Sequence, residues 1–482
     1  MLFPTACNMA AGYVFFNDMK LIPIYTWNKS MLKFNRKRDR ITRQPWFQGV
    51  LLLLCVIVAM LLANLPVVSG YYHAFLETSI QIHMKSPDGK VDWLFPNGMT
   101  IEKLINDVLM VVFFFTVGLE IKREVAHGEL SSVKKALLPV IAAFGGVIMP
   151  ALIYTLVNRG TVAASGWGIP TATDIAFAVC ILSVLGDRVP VSLKVFLTAL
   201  AIADDLIAIL VVAFFYGGHI NLNLLAISVV VIFVAWLFKH FGQKHVWVYL
   251  MLAVIVWVLF YYSGIHATMS GVVMAFIIPS KARYDRPYVL HKIKFFSQKL
   301  LSYDQIDDET MFPNGPQRHF LRRIHRTAYG SLDMSYRVEH ALSPWVNFVI
   351  MPIFALANAG VQIPELSYFN IFSTSGVTGG VGLGIFLGLV LGKPLGITLF
   401  SFAAIKSHLC TMPEKAGWGM FFAVACLGGI GFTMSIFVDT LSFSGLEYVE
   451  QMRNAGKIAI LSGSLAAGLL GTILIKHVSG KE

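Results

Sequence analysis

Two consecutive carboxylates, Asp204 and Asp205, sit in the middle of the apolar run from Phe196 to Phe214, which is long enough to cross a bilayer. A charged side chain at the centre of the hydrocarbon costs at least a few kcal/mol on the most lenient scale, so such a pair must face protein, water or an ion. The chemistry open to it is proton binding or the ligation of a small hard cation, since sodium and lithium, like calcium, take oxygen ligands. Neighbouring positions on a helix point about 100° apart, so the two acids need not share an environment, and their titrations are coupled.

Three further polar features lie at membrane depth. Asp174 follows Thr173 in Gly168-Ile-Pro170-Thr-Ala-Thr173-Asp174-Ile-Ala-Phe177. Lys393 precedes a helix-kinking proline in Leu391-Gly-Lys393-Pro394-Leu-Gly396. The third is Gly428-Gly429-Ile-Gly431-Phe-Thr433-Met-Ser435-Ile-Phe437. Bland readings exist for each: Asp174 as an N-cap, Lys393 as a snorkelling lysine, Thr173 as a hydroxyl bonded to its own backbone. Taken together, Asp174, Asp204 and Asp205 face one deep base, Lys393, with Asp439 set aside as too near the end of its span. That surplus of acid suits a site filled by a cation or by protons.

The elements that must position these groups are broken helices. Glycine, proline and small hydroxyl residues interrupt both the Asp174 segment and the Gly428 segment, and broken helices in corresponding positions of two halves mark the binding site of a transporter. Where such helices meet, their N-terminal ends carry partial positive charge and their C-terminal ends partial negative charge. Asp174 is placed to balance the first and Lys393 the second. A weak internal echo supports two repeats: Thr173-x-x-x-Phe177 matches Thr433-x-x-x-Phe437, and each is followed about 30 residues on by a polar residue in the next helix, Asp204 or Ser464.

Composition agrees with this setting. The 482 residues are 56% hydrophobic and 13% charged, with a mean hydropathy of +0.69, where a soluble chain is roughly a quarter charged. The reading is an all-α polytopic membrane protein of about twelve transmembrane helices, an inverted repeat with discontinuous crossing helices four and eleven. The expected spans are 47–69, 101–122, 136–157, 169–186, 191–216, 222–240, 245–262, 265–279, 344–362, 378–404, 417–442 and 455–476. A net charge of +11 is a feature shared with nucleic-acid binders, but the basic residues gather in loops at alternate ends of the apolar runs (Lys122, Arg123, Lys134, Lys135; Arg188; Lys239, Lys244; Lys406, Lys415), which sets topology instead. Nucleic-acid binding is excluded on that ground. The block Lys29, Lys33, Arg36, Lys37, Arg38, Arg40 and Arg43 places the N-terminus, and with an even helix count the C-terminus, in the cytoplasm. Its five cysteines show no metal or redox spacing.

The domain organisation expected is a basic cytoplasmic extension over 1–45, helices one to eight over 46–280, a cytoplasmic polar insertion over 281–340, and helices nine to twelve over 341–478. Residues 1–30 form a dispensable extension if Met31 is the natural start. The external connection 70–100 contains Pro87-Asp-Gly89 and Pro96-Asn-Gly98 and reads as a hairpin. In the insertion, His291 to Leu301 reads as a basic amphipathic helix on the membrane surface, with Asp304, Asp307, Asp308 and Glu309 docking on it.

Ala172-Thr-Asp-Ile-Ala-Phe177, Ala201-Ile-Ala-Asp-Asp-Leu206, Ser263-Gly-Ile-His-Ala-Thr268, Leu356-Ala-Asn-Ala-Gly-Val361, Gly392-Lys-Pro-Leu-Gly396 and Gly429-Ile-Gly-Phe-Thr-Met-Ser-Ile-Phe437 occur together and in order. This set resembles that of the bacterial NhaA-type sodium/proton antiporters over roughly residues 46–478. The resemblance implies export of sodium or lithium against protons at the cell inner membrane, with no cofactor beyond the transported ions, membrane lipid around the chain, and a homodimer. It implies that Asp205 is the main cation ligand and that Asp204 is linked to Lys393. It further implies a pH response through Glu120, Arg123, Glu124, Glu339 and His340, with His266 also linked to pH dependence. Ser343 stands where some members have a histidine, and the 281–337 insertion is longer than in compact members.

Two other classes are weighed. An intramembrane aspartyl protease needs its two acids on different helices, one within Gly-x-Gly-Asp, and that sequence is absent here, so the chain is not read as an enzyme. A sodium-coupled symporter of related fold is the remaining alternative.

Overall fold

The computed structural model describes residues 45–82, 94–218, 220–243, 245–280, 282, 284–304, 315–362, 380–443 and 448–480. The basic extension, the Pro87-Asp-Gly89 turn and the acids Asp307, Asp308 and Glu309 lie outside these residues.

Among the described residues, ten helices are long and apolar enough to cross a bilayer: Trp46–Asn64, Ile101–His127, Val133–Val157, Val162–Arg188, Val191–Phe215, Leu222–His240, Val246–Ser263, Met334–Asn358, Val381–Lys406 and Val449–Ser479. A bent pair, Trp418–Leu427 and Phe432–Ser442, meets at 51° and forms a further crossing. A shorter apolar helix spans Thr268–Ile277. These twelve segments fall one for one on the twelve expected and are numbered below in chain order. The eighth differs from expectation, because its ten residues rise about 15 Å, half the hydrocarbon thickness. Large apolar side chains such as Leu54, Phe214, Phe233, Val254 and Leu469 are exposed on the outside of the bundle, as suits a surface solvated by lipid tails.

The packing uses small residues, as helix contacts in a bilayer require. The third and tenth spans touch where a methyl group at Gly145 would strike the Gly396 carbonyl oxygen, and one at Gly396 would strike that of Gly145. The tenth span also widens into a π-helical turn over Gly388–Gly392, immediately before Lys393 and Pro394. Proline removes a backbone donor and crowds the preceding turn, so a local change of winding there has a direct cause.

Outside the spans, strands β1 (Ser79–Ile82) and β2 (Leu94–Thr100) pair antiparallel, with Ile80 opposite Met99 and Ile82 opposite Leu94. The hairpin is as expected, but Pro96-Asn97-Gly98 is not its tip. Those residues are extra on β2 between the two pairs and make a bulge, with Gly98 at φ +72°. A short helix before the hairpin, Ser69–Glu77, is tied to the ninth span by Tyr72, whose hydroxyl donates to Leu356 O at 2.6 Å. Burial, reinforced by the Glu102 carboxylate, pushes the Tyr72 phenol up to about 12, so it remains a donor throughout the physiological range.

The insertion forms two helices, Arg286–Asp304 and Gly315–Gly330, the first of which contains the expected His291–Leu301 segment.

Candidate functional site

The fourth span starts as a 3₁₀ helix over Val162–Thr171, opens over Ala172–Asp174 and resumes over Ile175–Leu185. It begins earlier than expected, because 3₁₀ winding accommodates the Ser165, Gly166 and Gly168 stretch that breaks an α-helical pattern. The eleventh span opens between Leu427 and Phe432. The two openings lie against each other. Asp174 N donates to Ile430 O at 2.7 Å, Thr173 Oγ1 to Gly428 O at 2.8 Å, and Ser435 Oγ to Ile169 O at 2.8 Å. The first two bonds supply partners to the Ile430 and Gly428 carbonyls in the opening of the eleventh span, as irregular backbone at membrane depth demands. Gly429 lets the tenth span approach, since a methyl group there would strike the Leu389 carbonyl oxygen, and Gly431 completes the opening ahead of Phe432.

Asp174 satisfies the N-terminal ends of both half-helices. Its Oδ1 accepts from Ala176 N at 3.0 Å and Phe177 N at 3.4 Å; its Oδ2 accepts from Thr433 N at 3.1 Å and from the Thr433 hydroxyl. The N-cap reading and the helix-end reading of Asp174 therefore describe one carboxylate doing both. Lys393 acts on the opposite partial charge less directly than expected. Its ammonium is paired with Asp204 Oδ2 and donates to Thr173 Oγ1 at 2.7 Å, and that hydroxyl in turn reaches the freed carbonyl of Gly428.

Asp204 and Asp205 are both buried, on the fifth span beside this crossing. Asp204 has Lys393. Asp205 makes no hydrogen bond or ion pair among the described residues, and its Oδ1 is buried without a partner. A carboxylate kept from water and offered no protein donor has two ways to be satisfied, a proton or a cation.

Asp439 is a residue that sequence reasoning set aside. It is buried, and neither of its carboxylate oxygens has a hydrogen-bond partner among the described residues. It packs on Gly456 of the last span, where a methyl group would strike Asp439 Oδ1, and the cations acting on it are Lys457 and Arg453 of that span. Those two bases in an apolar helix were the available signal.

Near the C-terminal end of the second span and the N-terminal end of the ninth, Arg123 is paired with Glu339 and lies 3.4 Å from Glu124 and 3.7 Å from Glu120. Four of the six residues implied by the resemblance to govern pH response are thus gathered. The other two are not with them. His340 is exposed and stacks on Tyr336 at 5.7 Å. His266 bonds the Thr268 hydroxyl through Nδ1 at 2.8 Å and lies edge-on to Phe437, next to the eleventh span. Ser343 donates to Glu339 O at 2.7 Å. Lys122, not singled out in the sequence, caps the eighth segment by donating to Phe276 O at 3.1 Å and to the Ile278 carbonyl.

Broken helices that cross at membrane depth beside a buried acid pair and a buried ammonium define a secondary transporter for small ions. The family described as Na+/H+ antiporter 1 matches residues 39–475. A Na(+)/H(+) antiporter NhaA from Oleidesulfovibrio alaskensis is 40% identical over 431 residues, 89% of this chain and 91% of that protein. The NhaA of Sulfurimonas denitrificans is 40% identical over 456 residues, covering 94% and 98%. That of Escherichia coli is 38% identical over 424 residues, covering 88% and 93%. The chain belongs to the Na+/H+ antiporter 1 family.

Proposed function

We propose that this protein exports sodium or lithium in exchange for external protons across a bacterial inner membrane. Asp205 is the carboxylate that binds the cation, and Asp204 is the group that exchanges Lys393 for a proton. The observation that carries the assignment is the asymmetry of the pair, one acid held by an ammonium and the next without a hydrogen-bond or ion-pair partner among the described residues. When the site faces an alkaline cytoplasm both acids are ionised and a cation binds; after the bundle reorients, external protons displace it. Thr173, Asp174, Thr433, Gly428, Gly429 and Gly431 support the site by holding the crossing open. The chain needs no cofactor for this, only its transported ions.

Exchange of two protons for one sodium ion moves net charge, so the membrane potential, worth about 2.3 kcal/mol per charge per 100 mV, drives sodium out. Activation at alkaline pH is assigned to Glu120, Arg123, Glu124 and Glu339, with His340 and His266 acting from outside that cluster. Both termini, the 1–45 extension and the 281–340 insertion are placed in the cytoplasm, and the β1–β2 hairpin is assigned to a homodimer contact. The test is an everted-vesicle assay with an acid-loaded pH dye. Sodium and lithium, but not potassium, should dequench the dye, and Asp205→Asn should abolish the response. Retained exchange in that variant would sink the assignment.

A further inference from the structure

The two insertion helices, Arg286–Asp304 and Gly315–Gly330, pack on each other, and an open cavity of about 550 Å³ lies between them and the start of the ninth span. Lys292, Arg323, Arg326 and Arg337 line it, and among the described residues no carboxylate does. Aromatic faces alternate with these cations. The Lys292 ammonium lies 5.6 Å from the centre of the Tyr288 ring, and the Arg337 guanidinium 5.1 Å from that of Tyr329. Gly330 closes the second helix where a methyl group would come within 2.6 Å of the Tyr284 ring, so the glycine lets that ring lie against the helix end. Arg337 Nε is buried and has no hydrogen-bond partner among the described residues.

Four cations around one cavity repel one another, and a buried guanidinium donor without an acceptor is costly. An anion placed among them relieves both. We infer that the cavity binds a phosphate-bearing anion, with Arg323, Arg326 and Arg337 on the phosphate and the tyrosine rings against the rest of the molecule. Guanidinium forks match phosphate oxygens in pairs, which a lone ammonium cannot do, and three of the four cations here are arginines. The volume admits a nucleotide or the headgroup of an anionic phospholipid. Arg337 is in the first turn of the ninth span, an end that the proposed topology puts in the cytoplasm, where basic cavities hold such lipids. Arg337 also stands two residues before Glu339, the partner of Arg123, so an occupant that holds Arg337 bears on the ion pair assigned above to the pH response. That regulatory consequence rests on the proposed antiport; the binding does not.

The thermal unfolding midpoint of the full chain in neutral detergent separates the two. It should rise with ATP, or with dioctanoyl phosphatidylglycerol over dioctanoyl phosphatidylcholine. The rise should be lost in the Arg323→Gln, Arg326→Gln double variant, whose side chains are exposed, and reduced in Arg337→Gln. A rise with ATP alone identifies a soluble ligand, and a rise with phosphatidylglycerol alone a lipid headgroup. No rise with either, or a rise retained in the double variant, overturns the site whether or not the protein exchanges ions.

Discussion

Lys393 is paired with Asp204, although Asp205 is the next residue on the same helix. The rotation of about 100° between consecutive helical positions is enough to give one acid a cation partner in this state and leave the other with none among the described residues. The two acids should therefore fail differently. Asp205→Asn should abolish exchange while leaving the melting temperature close to the parent. Asp204→Asn should abolish exchange and also destabilise, by about 3–5 kcal/mol, because it strands a buried ammonium. Differential scanning of the purified variants checks this; equal loss of stability in both would refute the asymmetry.

The crossing gives a second contrast. Thr433→Val removes one hydroxyl from Asp174 and should cost about 1 kcal/mol. Asp174→Ala leaves two helix N-termini without their acceptor and should cost more than twice that, since each capping interaction is worth about 1 kcal/mol and the helix-end charge adds up to about 2. Chemical denaturation of the detergent-solubilised variants orders them.

Gly145 and Gly396 set the distance between the third and tenth spans. Gly396→Ala should destabilise by about 1–3 kcal/mol through overpacking, and it should lower the rate of exchange more than the apparent sodium affinity, because Lys393 rides on the same helix three residues away. A variant with normal stability would show that the spans can separate freely.

If protons and sodium compete for one carboxylate, the pH dependence has a definite sign. Lowering pH protonates the site and weakens cation binding, so the apparent KM for sodium should rise about tenfold per pH unit on the acid side and level off on the alkaline side. Arg123 pairs with Glu339 and Lys393 with Asp204, so the two ion pairs share no residue, and Glu339→Gln should move the pH of half-activation without changing the alkaline plateau of KM. Vesicle assays over a series of sodium concentrations and pH values measure both; a raised plateau in Glu339→Gln would place that residue in the binding path.

What the sequence revealed followed from how unusual a charge is in hydrocarbon. Asp204, Asp205, Asp174 and Lys393 stand out in apolar runs, and all four meet at one crossing. Span positions were legible for the same reason, since only continuous apolarity satisfies a bilayer. Distance along the chain misled where a helix bends. Asp439 is three residues from Ser442, the last residue of its helix, yet the 51° break turns it into the last span beside Gly456. The eighth segment reads as a full crossing in the sequence because apolarity continues past Ile277 into Ile278, where the backbone leaves the helix. Pro96-Asn-Gly98 carries the residues of a turn, but pairing with β1 on both sides makes it a bulge. Spacing could not show that His340 turns outward while Glu339 turns inward, because adjacent helical positions differ in facing and the bundle decides which faces inward.

The shared carboxylate of Asp174 has a mechanical consequence. One side chain holds the N-terminal ends of the half-helices Ile175–Leu185 and Phe432–Ser442, and three more hydrogen bonds join the openings. Sliding one half-helix past the other would break all of them together inside the bilayer, where no water replaces them. The crossing therefore travels as a single rigid body, and access to the two sides must alternate by motion around it.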